Sequence, residues 1–413
     1  MKLPQYIHAL ADPLRNEDVS ALLRLLDARN RTARGLAETV APIDERRLAN
    51  PGHTLPEPWD GIAVRHCAAV KALYNGDYST AYVHILFLSD PSYTHQHQLL
   101  ILYLRWQQDQ SAWSLPILYL LLRDLRALAE QADSLTFANT GRTPALEECT
   151  RTVSKAFTLA ATDRTFEGRE SRRQGVYYLA SLALKCYFKV GKPNLCKNIV
   201  RAVTSDPKMP PVSSAPLGDQ VTWHYYLGML AFLAGEDKKA LDELKWALLN
   251  CPTDARRNQE LILTYLIPLH LLRGSLPSPT MMARHPRLRE AYQPFVDAIR
   301  TGNIQAYDDA LEWAQPRLVG LGTYLAIERA REGCVRSLFK RAWMASDKNS
   351  RMPVATFSAA LKLQGVKADT DEVECMLANM IYRGYMKGYI SHEKQMVVLG
   401  KTNPFPSLAT LAR

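Results

Sequence analysis

The side chains in this sequence best suited to chemistry with another molecule are cationic, and they gather toward the C-terminal end. Between Arg329 and Lys401 there are 13 Lys and Arg against 7 Asp and Glu, a surplus of six. Arg336, Lys340 and Arg341 fall within about one turn of a helical pattern, and Arg383 and Lys387 stand at i, i+4. Lys394 lies in a polar run between two β-prone stretches, and Lys401 follows the second of them. Such residues neutralise phosphates, and the release of counterions supplies most of the affinity for nucleic acid. A solvated basic face, or docking of an acidic protein, would use the same residues. The net charge of +10 and the pI near 9.2 ask for an acidic partner of one kind or the other.

No constellation for bond making or bond breaking can be assembled. The sequence has no phosphate-cradling Gly-rich loop ending in Lys-Ser/Thr, no Gly-x-Ser-x-Gly elbow, no His-Glu-x-x-His and no zinc-spaced Cys/His set. His95 and His97 could reach a metal, but their polar Thr-His-Gln-His setting reads as a solvated helix start with no third ligand. His224 and His270 sit within apolar helical patterns and read as hydrogen-bonded core histidines. Glu147 with Glu148, and Asp308 with Asp309, are adjacent and point different ways on a helix, so neither forms a catalytic pair. The seven cysteines are scattered without close pairs and read as reduced, buried thiols. No enzyme activity, metal or cofactor is expected.

The basic residues must be positioned by something, and Arg351 to Leu408 has the pattern of a winged helix-turn-helix. Pro353 to Gly365 reads as a short helix with Val354, Phe357, Ala360 and Leu361 apolar. A second helix is capped by Asp369, with Glu372 three residues on. Its apolar positions are Val373, Met376, Leu377, Met380, Ile381 and Gly384, and it is expected to run to about Gly388. Tyr389-Ile390 and Met396 to Leu399 then form a hairpin around Ser391 to Gln395. The remaining helix lies upstream, where Val335, Leu338, Phe339, Ala342 and Trp343 make an apolar face between Glu332 and Asp347. Ordinary base reading is disfavoured. The start of the third helix carries Asp369, Asp371, Glu372 and Glu374, which would repel phosphates at the place where recognition helices meet bases. Contact is expected from the wing and the helix's C-terminal end, with tolerance of sequence.

Upstream, the chain reads as helical repeats. Residues up to about 41 hold a helix at Val19 to Leu26 and a less regular Ala28 to Val40, and prolines 42, 51, 56 and 58 mark a loop. From Trp59 to Pro316, helix, turn, helix and proline recur. In the clearest copy, Val221 to Pro252, Leu227, Gly228, Ala240, Ala247 and Pro252 follow the tetratricopeptide pattern, with Leu244 at an aromatic position, around a Gly235-Glu236-Asp237 turn. A second copy spans Val176 to Pro207. Others are suggested by Asn75-Gly76-Asp77 ending at Pro91, and by Gly302-Asn303 ending at Pro316. Leu115 to Leu122 reads as a buried helix, and Thr136 to Pro144 and Pro207 to Pro216 as surface loops. No segment has the length and apolarity of a membrane span, and the first residues lack the pattern of a secretory signal, so an intracellular protein is expected.

The fold class expected is therefore all-α, a tetratricopeptide-like helical-repeat solenoid followed by a C-terminal winged helix with a small β-hairpin. The expected domains are an N-terminal helical segment and loop at 1–58, the repeats at 59–328, and the winged helix with its tail at 329–413.

That order of domains is similar to PCI-domain subunits. Leu377-Ala378-Asn379-Met380-Ile381-Tyr382-Arg383-Gly384, Met386-Lys387-Gly388-Tyr389-Ile390-Ser391-His392 and Asn403-Pro404-Phe405-Pro406 resemble the end of one PCI branch. It contains the signalosome subunit twelve-like protein and its relative in the nuclear-pore-associated transcription-export complex. Tyr187-Phe188-Lys189, Leu195 to Asn198 and Asn258 to Pro268 resemble the same branch, so the likeness covers roughly 145 to 408. The resemblance implies a non-catalytic scaffold that pairs with a larger PCI protein and a small acidic proteasome-lid-type subunit. Together they would bind RNA or DNA without strong sequence preference in transcription elongation, mRNA processing and nuclear export. The matching basic positions are Arg383, Lys387, Lys394 and Lys401, with Arg336, Lys340 and Arg341 added from their clustering. His392, Asn403 and Phe405 are the partner-contact candidates, although the Asn-Pro-Phe-Pro tail equally fits a chain that packs back on its own domain. The location expected is the nucleus, including the nuclear pore, with the cytoplasm second. The alternative is a purely protein-binding subunit of a signalosome- or proteasome-lid-like assembly.

Overall fold

The computed structural model describes residues 3–41, 55–74, 91–140 and 143–407. Its helices are α1 Leu3–Arg15, α2 Val19–Leu26, α3 Arg31–Val40, α4 Trp59–Tyr74, α5 Pro91–Trp106, α6 Leu115–Thr140, α7 Pro144–Ala161, α8 Val176–Lys189 and α9 Cys196–Ser205. They continue as α10 Leu217–Leu233, α11 Asp237–Asn250, α12 Arg256–Leu272, α13 Pro279–Arg284, α14 Pro286–Thr301, α15 Ile304–Leu321, α16 Tyr324–Ala345, α17 Val354–Leu363 and α18 Thr370–Tyr382. The strands are β1 Arg351–Pro353, β2 Gly388–Ser391 and β3 Met396–Leu399. Internal contacts divide the chain into two compact units, residues 1–223 and 224–413, with the boundary inside α10.

In the first unit, consecutive helices from α4 to α9 pack on one another, and α3 packs on α4. The segment 31–40 is more regular than its sequence suggested. Asn30 caps α3 through Ala33 N at 2.8 Å, and Ala33, Leu36, Ala37 and Val40 give it a buried face at helical spacing. Leu115, Ile117, Leu118, Leu121 and Leu122 are buried as expected. The helix they begin runs on through Thr140, so residues 136–140, expected in a loop, are helical. Polar residues alone do not stop a helix, and the first strong breaker is Gly141. The turn expected at Asn75-Gly76-Asp77 lies outside the described residues.

In the second unit, Gly228 shows why a repeat needs a small residue. A Cβ there would lie 2.6 Å from Leu244 Cγ and 3.2 Å from Leu244 N, so α11 crosses at a distance that only glycine permits. Ala240, Leu241, Leu244 and Ala247 complete that contact in the core. Pro316 does not end a repeat. It lies on the exposed side of α15, where the carbonyl it leaves without a donor faces water, and the helix stops only at left-handed Gly322.

Helices α16, α17 and α18 and the sheet form the winged helix. Its core is Phe339 edge-on to Phe357 at 5.0 Å, with Val354, Leu361, Val373, Leu377, Met380, Val397 and Leu399 buried. The sheet order is β1-β3-β2, antiparallel throughout. Strand β1 is an addition to the expected hairpin. It pairs Arg351 with Val398 and Pro353 with Met396, and Pro353 is tolerated because it occupies an edge strand. Helix α18 ends six residues earlier than expected, because Gly384 turns the chain with φ +76°.

Candidate nucleic-acid and partner interface

The capping box read from the sequence is present at the start of α18. Glu372 N donates to Asp369 Oδ1 at 2.7 Å, and Asp369 N donates to Glu372 Oε2 at 3.0 Å. Glu374 is used as well. Its carboxylate meets His392 Nδ1 at 2.9 Å and Gln395 Nε2 at 3.4 Å, tying the helix to the wing. That hydrogen bond, followed by the carboxylate's charge, raises the His392 pKa above its ordinary value. Three of the four carboxylates are thus engaged in holding the domain together, and His392 is exposed but already partnered.

The tail folds back on the domain. Asn403, exposed at φ +46°, turns the chain, and Pro404, Phe405 and Pro406 are buried. The Pro404 carbonyl accepts from Lys387 N at 2.7 Å, and the Lys387 carbonyl accepts from Gly400 N at 2.8 Å. Phe405, one of the partner-contact candidates, is 4% exposed and faces inward. Its ring lies 5.7 Å from Trp343 and 5.8 Å from the Arg336 guanidinium carbon, because burial on its own domain removes the aromatic face from water.

The seven basic candidates divide by what they touch. Arg336 is half-buried and works inside the fold. Its Nε donates to Tyr385 O at 3.1 Å and its Nη2 to Pro406 O at 2.5 Å, so it clamps the tail, and burial lowers its pKa. Arg383 pairs with Glu332, and Arg341 reaches Arg300 O at 3.3 Å. Lys340, Lys387, Lys394 and Lys401 are exposed, and none of the four forms an ion pair among the described residues. The structure therefore separates one internal arginine and two tethered ones from four open lysines.

Other residues singled out by type have ordinary surroundings. His97 Nε2 lies 2.9 Å from Thr152 Oγ1, and His95 Nδ1 lies 3.4 Å from Arg65. His224 is held by Glu243 at 2.6 Å and stacks on Trp246 at 3.9 Å. Six cysteines are buried and Cys375 is exposed. No helix among the described residues is long and apolar enough to cross a membrane.

Residues 315–401 match the PCI domain, the stretch that holds α16 to β3. The chain is 40% identical over 324 residues to the protein CSN12 homolog of Mycosarcoma maydis, a match covering 73% of this chain and 71% of that one. The chain belongs to the PCI family. It is 36% identical over 332 residues to the Neurospora crassa protein CSN12 homolog, covering 72% and 73%. It is 30% identical over 360 residues to PCI domain-containing protein 2 of Xenopus laevis, covering 86% of each. The branch is the one that Leu377 to Gly384 and Asn403 to Pro406 resembled, and it makes the chain a scaffold subunit of a multi-protein complex.

Sequence reading missed two residues on the winged helix, Arg351 and Tyr389. Both are exposed on the sheet, Tyr389 at 63%. Arg351 was hidden because a three-residue strand ending in proline looks like a helix start. The available signal was the alternation of Arg351 outward, Met352 inward and Pro353 outward.

Proposed function

We propose that this chain is a non-catalytic scaffold that pairs through its PCI region with a larger PCI-domain protein and a small acidic subunit. In the nucleus, including at its pores, it presents a nucleic-acid-binding rim for transcription-coupled mRNA processing and export. The observation that carries this reading is the contrast between consumed and open charge on one small domain. Three of the four acids at the start of α18 are engaged in the cap and the wing, whereas Lys340, Lys387, Lys394 and Lys401 stay exposed without ion pairs among the described residues. Open lysines without a base-reading helix favour phosphate contact and tolerance of sequence.

The test is anisotropy titration of single-stranded RNA with the purified complex carrying this chain, comparing wild type with a Lys387→Glu, Lys394→Glu, Lys401→Glu triple variant. Removing three phosphate contacts on a single strand should lower the log–log salt slope by about 2 and weaken binding more than tenfold at low salt. An unchanged slope would remove these lysines from the reading.

A purely protein-binding subunit of a signalosome- or lid-like assembly is the second reading. It draws on exposed apolar surface at Leu363, 85% exposed, and Tyr382, 90% exposed. On that reading Leu363→Asp and Tyr382→Asp release a partner in co-purification, and the wild-type complex ignores RNA at low salt.

A further inference from the structure

The three-stranded sheet leaves one face open, and its register decides which side chains stand there. Val398 is paired with Arg351 on one side and Tyr389 on the other, so these three form a row on a single face. The row beneath it, Met352, Val397 and Ile390, turns the other way, with Met352 and Val397 buried in the domain. Arg351 and Tyr389 are therefore separated by the width of one strand, about 10 Å across two strand spacings.

Along β2, the residue two positions before Tyr389 is Lys387. Its side chain is on the same face, because a Cβ built on Gly400, the residue after buried Leu399, would lie 3.4 Å from Lys387 Cβ. Gly400 itself puts no side chain on this face. Among the described residues, Arg351 and Lys387 carry no ion pair and the Tyr389 hydroxyl has no hydrogen bond. The other side chains of the face, Pro353, Met396 and Ser391, are uncharged.

We propose that this face is a base-stacking platform for single-stranded nucleic acid, with a base laid on the Tyr389 ring and flanking phosphates met by Arg351 and Lys387. The proposal rests on the nucleic-acid reading above and deepens it, because lysines alone do not distinguish a single strand from a duplex. An exposed aromatic on an open sheet between two cations does. Every unpaired base offers a π-face to stack, whereas a duplex keeps its bases covered. The complementarity of charge favours nucleic acid over an apolar protein surface as the occupant. Trp313 supplies an internal control, since it is exposed to the same degree as Tyr389, 62% against 63%, but stands on α15 rather than on the sheet.

The experiment uses the purified complex containing the full chain, with single-stranded and duplex RNA of equal length. Variants are Tyr389→Ala, Tyr389→Phe, Arg351→Ala and Trp313→Ala. Binding to 5-bromouridine RNA is also followed by photocrosslinking and peptide mapping. Tyr389→Ala should weaken single-strand binding about tenfold and leave duplex binding within twofold. Tyr389→Phe should restore it, Arg351→Ala should weaken it about threefold, and Trp313→Ala should change neither. The crosslinked peptide should contain Tyr389. If the wild type binds single strands and Tyr389→Ala binds equally well, the platform is wrong and the lysine rim stands. Should the wild type bind no nucleic acid, both fail. Loss of the PCI partner from the Tyr389→Ala complex would make the face a protein joint and overturn the proposal.

Discussion

Charged residues do opposite work in the two units. In the first, Asp163 and Arg172 are fully enclosed, with side chains 0% and 8% exposed and 2.9 Å apart. Arg172 also donates to Gln107 O and Gln108 O, both at 2.8 Å, while the Asp163 carboxylate accepts from Ser171 Oγ and Arg172 N. Burial pushes the Asp163 carboxyl up, but the Arg172 hydrogen bonds, Thr165 N and the guanidinium charge outweigh it and hold the pKa at about 2. On the winged helix, Lys340, Lys387, Lys394 and Lys401 have no such partners among the described residues. A charge whose partners lie within the chain is a structural part, and one left without them is available to another molecule. Arg336 shows that residue type alone does not decide. It belongs to the basic cluster in sequence and to the internal kind in space.

The contrast can be broken most severely at Arg172. Arg172→Leu leaves a buried carboxylate without its countercharge, takes the guanidinium donors from two carbonyls, and should cost about 3–5 kcal/mol in urea denaturation. Phe405→Ala comes next, at about 3 kcal/mol, read as faster amide exchange in the tail and at Lys387 N. A third test uses pH. His66 is fully buried and stacks on Tyr6, and burial lowers its pKa from 6.5 to about 4, opposed weakly by Asp27. Protons then bind the unfolded chain first. Stability is complete above about pH 6.5 and falls as pH drops toward 4, where the folded state also begins to accept the proton. Asp163 acts in a lower window, its contribution being present above about pH 3.8 and lost as pH falls through 2. In His66→Phe the fall of the urea midpoint between about pH 6.5 and 4.5 should be smaller than in the wild type. The smallest effects belong to the rim. Arg383→Ala breaks an exposed pair and should cost at most about 1 kcal/mol, and Lys394→Ala should shift stability by less than about 0.5 kcal/mol while weakening RNA binding. A rim lysine whose loss destabilises the fold would erase the distinction.

Features governed by local chemistry were readable in the sequence. The α18 capping box, the hairpin at Tyr389-Ile390 and Met396 to Leu399, and the close crossing at Gly228 follow from residue type and spacing. Features settled by tertiary context were not. Pro316 reads as a stop because proline removes a donor, yet the affected carbonyl lies on a wet face. Strand β1 is visible only once β3 is beside it, and with it the row of Arg351, Val398 and Tyr389. The packing of Phe405 onto its own domain was one of two readings open from the sequence, whereas the clamp by Arg336 rests on a contact 70 residues away, which no local pattern carries.

Lys387 is bonded on both sides of its peptide unit, N–H to Pro404 and carbonyl to Gly400, while its ammonium stands in solvent. Its location is consequently set by main chain and its electrical sign by a side chain that supports nothing else. Acylation of that amine, or replacement by glutamine or glutamate, would change the charge on the sheet without disturbing the seam between tail and wing. Position 387 thus separates the charge of this surface from the main-chain seam that holds the tail.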